Sequence, residues 1–372
     1  MAMDISKRLG QLRARRDGSD RWTLDSAVRD EILAKSLLRE SWEKRGSEEQ
    51  PHTRYAIGAM QAVGATYTKV SLETGDRVAK QLNTRLASSG ISVEFRLQGS
   101  VPLDVHIRRV SDVDLLTLDT SFLTYVSYGP RSQSGGYSST PKTSKGVLSE
   151  LRTQVEKSLH AAFPAATVDT TGAKAVKISG GSLPRSVDVV PAHWWDTVAY
   201  QTSGEEADRA VTIFNKKTEE TIDNFPFLHI ARIGNRCDAI GGGLRKAIRL
   251  CKNVKADSDR DITLPSFDIA ATMYHADMDA LRFGKYFDLA VLAETQRFLD
   301  VLACDESAAK ALYVPDGSRR IFDTPEKISG LRRLSLDMDD LLNNVYRENA
   351  PLRLGAAPPL SDMRSTVRLL SV

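Results

Sequence analysis

Residues 91–119, ISVEFRLQGSVPLDVHIRRVSDVDLLTLD, decide how this chain is read. Ile91, Val93, Phe95 and Leu97 alternate with Ser92, Glu94, Arg96 and Gln98. A period of two puts the apolar set on one face of a strand. Gly99-Ser100 ends that strand, and residues 112–119 (DVDLLTLD) read as another. Asp112 and Asp114 are two apart, so on a strand both carboxylates leave one face while Val113 and Leu115 leave the other. Two carboxylates aimed the same way repel unless a cation sits between them.

Working outward, residues 23–47 (TLDSAVRDEILAKSLLRESWEKRGS) read as an amphipathic helix that Asp25 or Ser26 can cap. Residues 53–88 read as a second, long helix ending at Ser88-Ser89-Gly90. Residues 127–145, rich in Ser, Gly and Pro, read as a long flexible loop, followed by a helix over 146–162. Strands at 174–179 and 185–190 flank Gly180-Gly181-Ser182-Leu183-Pro184 as a hairpin. Beyond about residue 205 the strand signals fade, and 241–255, 267–283, 285–303 and 326–348 read as helices. Residues 349–372, with Pro351, Pro358 and Pro359, are expected to end as a partly loose tail. The expected class is α+β, with a mixed-sheet domain at 1–205 and a helical domain at 206–372.

Composition narrows the function classes. The 51 Lys and Arg against 48 Asp and Glu leave a net charge of only +3, which does not mark a protein that coats nucleic acid. No apolar run approaches the roughly 20 residues of a membrane span, so no membrane partner is expected. The start, MAMDISKRLGQLRARR, lacks the apolar stretch of a secretory signal. Cys237, Cys251 and Cys304 are scattered, which fits a reducing cytoplasm without structural disulfides and argues against zinc.

Asp188 adds a third carboxylate within Ser186-Val187-Asp188-Val189-Val190, an otherwise apolar strand where an isolated charge is costly. Hard oxygen ligands suit Mg²⁺, and a two-metal arrangement sets the ions roughly 3.5–4 Å apart. Gly99 lets the backbone approach a phosphate, and Ser100 can donate its hydroxyl. Each part has an ordinary explanation: a solvated strand edge, a turn, half of an ion pair. In this order and on strands they point jointly to a metal site.

A second region reads GGGLRKAIRLCKNVK over 241–255. Leu244, Ala247, Ile248 and Cys251 share one helical face, with Lys252 at its edge, where a lysine can hold phosphate as a point charge. Arg245, Lys246, Arg249 and Lys255 read as a solvated basic face. The triple glycine is not a P-loop, since no G-x-x-x-x-G-K-[ST] is present. Ser266 reads as a helix N-cap or a phosphate contact, and Phe267 as core or as a stacking partner for a purine.

Gln98-Gly99-Ser100, Asp112-x-Asp114 and Asp188 resemble the motif set of the DNA polymerase β-like nucleotidyltransferases. GGGLRKAIRLCKNVK followed by LPSFDIAATMYH resembles, more narrowly, the bacterial CD-NTases, relatives of the animal cyclic GMP–AMP synthase and oligoadenylate synthases. The resemblance covers about residues 50–300. It implies a bilobed enzyme in which a long N-terminal helix bridges a nucleotidyltransferase lobe and a helical lobe. It implies synthesis of a cyclic di- or trinucleotide from ATP or GTP, and a role in anti-phage (CBASS) signalling through a separate effector. By carry-over, Asp112, Asp114 and Asp188 bind two Mg²⁺ ions, for which Mn²⁺ can substitute. Gln98, Gly99, Ser100, Lys252 and Ser266 line the nucleotide, and Phe267 stacks on the donor base. Many members have a Thr a few residues after Gly-Ser, whereas here the stretch is Val101-Pro102-Leu103-Asp104. No zinc-binding insert is visible, so no DNA activator is expected, and a monomer is the expectation. A template-independent transferase extending RNA or tRNA 3′ ends would share the aspartates.

Overall fold

The computed structural model describes residues 4–17, 40–108, 110–350 and 358–371. They form two compact units. Unit 1 takes Met1–Val63, Asp104–Val110 and Ile233–Val372, and unit 2 takes Gly64–Leu103 and Ser111–Arg232. Among the described residues, no helix is long and apolar enough to cross a membrane.

Unit 2 carries a mixed seven-stranded sheet: β1 (Val93–Gln98), β2 (Val113–Tyr125), β3 (Thr167–Asp169), β4 (Val176–Ser179), β5 (Val187–Asp196), β6 (Ala210–Asn215) and β7 (Glu220–Asn224). The order is β1-β2-β5-β4-β3, with β6 beside β5 and β7 beside β6. β2 and β5 run parallel, and every other pair is antiparallel. The α+β reading with a mixed sheet therefore holds, and β4–β5 is the expected hairpin.

Alternation explains how the sheet is covered. Val113, Leu115, Val187, Val189, Val176 and Ile178 form one buried cluster with Val78, Leu82 and Leu86 of helix Ala65–Ser88 and Leu151, Val155 and Leu159 of helix Ser144–Ala162. Leu116, Leu118, Val190, Ala192 and Trp194, on the opposite parity, form another. Gly75 lets helix Ala65–Ser88 press close, because a Cβ there would meet Val113 at 3.2 Å and Leu97 at 3.3 Å. The parity of the second cluster is also that of Asp114 and Asp188.

Several elements differ from expectation. β6 and β7 lie beyond residue 205, where strands were expected to fade. β6 is almost wholly buried and β7 almost wholly open, so neither carries the alternation that marks a half-buried strand. The boundary expected at 205/206 falls inside unit 2. The helix expected over 53–88 is two, Pro51–Met60 and Ala65–Ser88, broken before the N-cap Gly64. The helix expected over 267–283 is likewise two, because Asp277 caps Met278–Arg282 with its own carboxylate. Of the helix expected at 23–47, residues 23–39 lie outside the described residues, and Ser41–Lys44 is a 3-10 turn. Leu360–Val367 is a helix held by buried Met363 and Val367 where a loose tail was expected.

Unit 1 is helical. Helix Gly243–Asp257 buries Leu244, Ala247, Ile248 and Cys251, as its spacing predicts, and packs on Pro51–Met60, Asp288–Cys304 and Pro325–Asn349. The unheralded helix Ile5–Asp17 is anchored by Arg15, whose guanidinium pairs with buried Asp257; Tyr55 Oη donates to the same carboxylate at 2.8 Å.

Leu82 is fully buried between helix Ala65–Ser88 and the sheet. Leu82→Ala is expected to cost about 2–5 kcal/mol of stability, read from urea unfolding. A loss below about 1 kcal/mol would show that this face of the sheet is not the core.

Candidate active site

The site begins with strand register. In the parallel β2–β5 pair Asp114 stands opposite Asp188. Neighbouring strands lie about 4.8 Å apart, so the two side chains leave the same face as neighbours. Asp112 immediately precedes β2, and its carboxylate meets the ammonium of the residue opposite Asp188 on β4, Lys177. On the other side of Asp114 its partner is Gln98, the last residue of β1. The three carboxylates foreseen from the sequence are thus gathered on one stretch of sheet.

Gly99 follows with φ +74°, a left-handed conformation that glycine adopts without strain. A Cβ at this position would also collide with Asp114 Oδ2. The glycine is required twice over, by its backbone angle and by the carboxylate beside it. Ser100 is the next residue of the turn.

A fourth group was not foreseen. Lys177 of β4 stands opposite Asp188, and its ammonium pairs with Asp112. Burial pushes the Lys177 pKa down, but the hydrogen bond to Asp112 and the charges of Asp112, Asp188 and Asp114 outweigh it and raise the pKa. Asp188 is also raised above the usual carboxylate range, first by burial and next by the charge of Asp112, with Lys177 opposing. Only the hairpin register could have shown Lys177 in the site, since Lys177 in KAVKIS reads as one lysine of an ordinary edge strand.

Among the described residues, no group of three or more His, Cys, Asp or Glu is drawn close enough to hold a metal ion. The donor set nevertheless fits a hard divalent cation. Asp112, Asp114 and Asp188 offer only oxygens, Asp114 and Asp188 share a face, and burial together with the charge of Asp112 raises Asp188. The Lys177 ammonium occupies the place of a counter-charge, and a divalent ion would compete with it for Asp112.

The remaining expected residues belong to unit 1. Lys252 is 3% exposed and donates from Nζ to the Val105 carbonyl at 2.8 Å. The N-cap of helix Ser266–Met273 is Pro265, with no side-chain cap, so Ser266 is not the capping residue expected. Phe267 keeps 37% of its surface exposed and is not a core residue. The solvated basic face expected around Lys252 is instead committed to internal partners. Arg249 is buried and donates to the carbonyls of Met60 and Asp104 at 2.7 and 2.6 Å. Lys246 pairs with Asp288 at 2.6 Å, Lys255 donates to the Leu264 carbonyl at 2.7 Å, and Arg245 pairs with Asp238.

No family model matches the chain. It is 47% identical over 337 residues to the cyclic dinucleotide synthase CdnE of Yersinia aleksiciae, covering 90% of this chain and 85% of that one. It is 31% identical over 306 residues to a c-di-GMP synthase of a Lachnospiraceae bacterium, covering 77% and 86%. The structure of a STING-associated CdnE c-di-GMP synthase from Capnocytophaga granulosa superposes with a TM-score of 0.71 at 27% identity, over 92% of this chain and 99% of that one.

The raised pKa of Asp188 fixes a pH dependence. Its folded-state value lies above its unfolded value, so the ionised group destabilises the metal-free fold. That penalty is absent below the unfolded pKa and grows as pH rises through the folded one. Asp188→Asn is therefore expected to stabilise the metal-free protein at pH 7, with the gain disappearing toward pH ~3.8. Urea unfolding at both pH values reads it, and a variant less stable at pH 7 than at low pH relative to wild type would contradict it.

Proposed function

The chain belongs to the bacterial CD-NTase family of cyclic dinucleotide synthases, and from that premise we propose that it joins two GTP molecules into cyclic di-GMP, releasing pyrophosphate. The observation that carries the reading is the in-register pair Asp114 and Asp188, with the charge of Asp112 close to Asp188, beside the left-handed Gly99. The guanine choice is supported by similar proteins named as c-di-GMP synthases. The similarity to cyclic dinucleotide and c-di-GMP synthases favours this over extension of RNA or tRNA 3′ ends.

Asp112, Asp114 and Asp188 are proposed to hold the two Mg²⁺ ions. When bound, these would neutralise the triphosphate and lower the pKa of the attacking hydroxyl. Asp188 takes the proton of the acceptor's ribose hydroxyl as the latter attacks the α-phosphate. Lys177, paired with Asp112, would yield that carboxylate to a bound divalent ion and keep its positive charge in the site. Gly99 and Ser100 face the phosphates with backbone amide and hydroxyl, with Gln98 next to them. By resemblance, Lys252 and Ser266 contact the triphosphate and Phe267 stacks on the base. Lys252 would release the Val105 carbonyl to do so. The linear intermediate then turns, and its free ribose hydroxyl attacks the α-phosphate of its one remaining triphosphate, expelling a second pyrophosphate.

The same reading makes the product a signal for a separate effector in anti-phage (CBASS) defence. It places the enzyme in the cytoplasm as a monomer that needs no DNA activator.

Two outcomes test it. Incubation with each α-labelled nucleoside triphosphate and Mg²⁺, then phosphatase and chromatography, should leave phosphatase-resistant label from GTP that co-migrates with cyclic di-GMP. Resistant label only from another nucleotide would overturn the guanine assignment, and lengthening of added RNA would favour the 3′-end transferase. Gly99→Ala should lower turnover about a hundred-fold, as misplacing a catalytic group by about an ångström does, with the fold intact by circular dichroism. Wild-type turnover in that variant would remove the Gly99–Asp114 contact from the mechanism.

A further inference from the structure

Phe267 stands in the first turn of helix Ser266–Met273, and the Arg319 guanidinium lies 5.4 Å from the centre of its ring. That separation is within the range of cation–π attraction. The next residue, Asp268, holds Arg319 in place. Arg319 Nη2 donates to Asp268 Oδ1 at 2.5 Å, and Lys327 Nζ lies 2.9 Å from Asp268 Oδ2. The Asp268 side chain is almost wholly buried, and a buried carboxylate needs such partners. Arg319 Nη1 also donates to the Arg320 carbonyl at 3.0 Å, and Lys327 pairs with Asp323 at 2.7 Å. Arg319 is thus clamped from two sides, on the turn closed by the Tyr313–Arg320 bridge.

A purely structural ion pair between Asp268 and Arg319 would need no aromatic ring. Lys327 Nζ, shared with Asp323, faces the same carboxylate on its other oxygen. The arrangement adds something more: the guanidinium lies over the ring of the partly exposed Phe267 and limits its rotation. A side chain already fixed in one rotamer loses less entropy when a second planar group stacks on it.

We propose that Arg319 is a positioning residue for nucleotide binding, holding the Phe267 ring as a rigid platform for the base. The proposal rests on the reading of Phe267 as the base contact. Stacking acts on the π-face that every base offers, so Arg319 governs how tightly the nucleotide binds and leaves the choice of base unchanged.

The test uses the full chain and the nucleoside triphosphate it consumes. Phe267→Ala is expected to raise KM about ten-fold, in line with the loss of one base–aromatic stack. Arg319→Ala is expected to raise KM about three- to five-fold at unchanged kcat and unchanged base preference in the folded fraction, because the ring loses its cationic partner. Arg319→Lys restores most of the loss, because an ammonium keeps both the ion pair and the ring contact. The double variant Phe267→Ala/Arg319→Ala should be no worse than Phe267→Ala. If Arg319→Ala raises KM by the same factor with and without the Phe267 ring, or leaves KM unchanged while Phe267→Ala raises it, the proposal is overturned. If Phe267→Ala itself leaves KM unchanged, the reading of Phe267 as the base contact fails first. Thermal unfolding of each variant separates loss of binding from loss of fold.

Discussion

Everything at the candidate site depends on one constraint: Asp114 and Asp188 must stay opposite each other in a parallel strand pair. A slip of one residue would turn either carboxylate into the apolar layer on the other face. The register is therefore enforced from behind. Val113, Leu115, Val187 and Val189 lock into the cluster made by helices Ala65–Ser88 and Ser144–Ala162. Parallel strands need a long crossover, and helix Ser144–Ala162 lies on the path between β2 and β5. Gly75 admits helix Ala65–Ser88 close to Val113, and Gly99 admits the turn close to Asp114. The apolar face thus buys the precision that the acidic face uses.

The acidic face is the costly one. Three carboxylates on neighbouring positions repel, and burial makes the repulsion worse at Asp188. Lys177 relieves part of it through Asp112 and sits opposite Asp188 across the hairpin. An arrangement that needs one positive charge to persist, and has oxygens to offer more, is suited to take divalent cations when nucleotide brings its own negative charge. Unit 1 handles its buried charges differently. There Asp257 is matched by Arg15 and Tyr55, and Asp268 faces Arg319 and Lys327.

The sheet and its acidic residues were largely legible in the sequence, for a physical reason. β1 and the start of β2 are half-buried, so their alternation is visible, and the aspartates pointed to a metal site only jointly with Gly99-Ser100 and Asp188. β6 and β7 were not legible, since one is buried on both faces and the other open on both. Lys177 was hidden because its role follows from pairing across a hairpin, which a single strand does not reveal. Arg249 was misjudged as solvated for the same reason. Its partners, the carbonyls of Met60 and Asp104, lie far from it in the chain. Helix breaks at Gly64 and Asp277 were missed because apolar periodicity continues across them, and only local capping marks the interruption.

The central claim is that Asp112, Asp114 and Asp188 hold divalent metal together. A crystal grown with Mn²⁺ and a non-hydrolysable GTP analogue, measured at the manganese edge, tests it directly. Anomalous peaks within coordination distance of all three carboxylates, with the Lys177 ammonium withdrawn from Asp112, are the predicted result. Manganese bound only by the analogue's phosphates, with Lys177 still paired to Asp112, would contradict it.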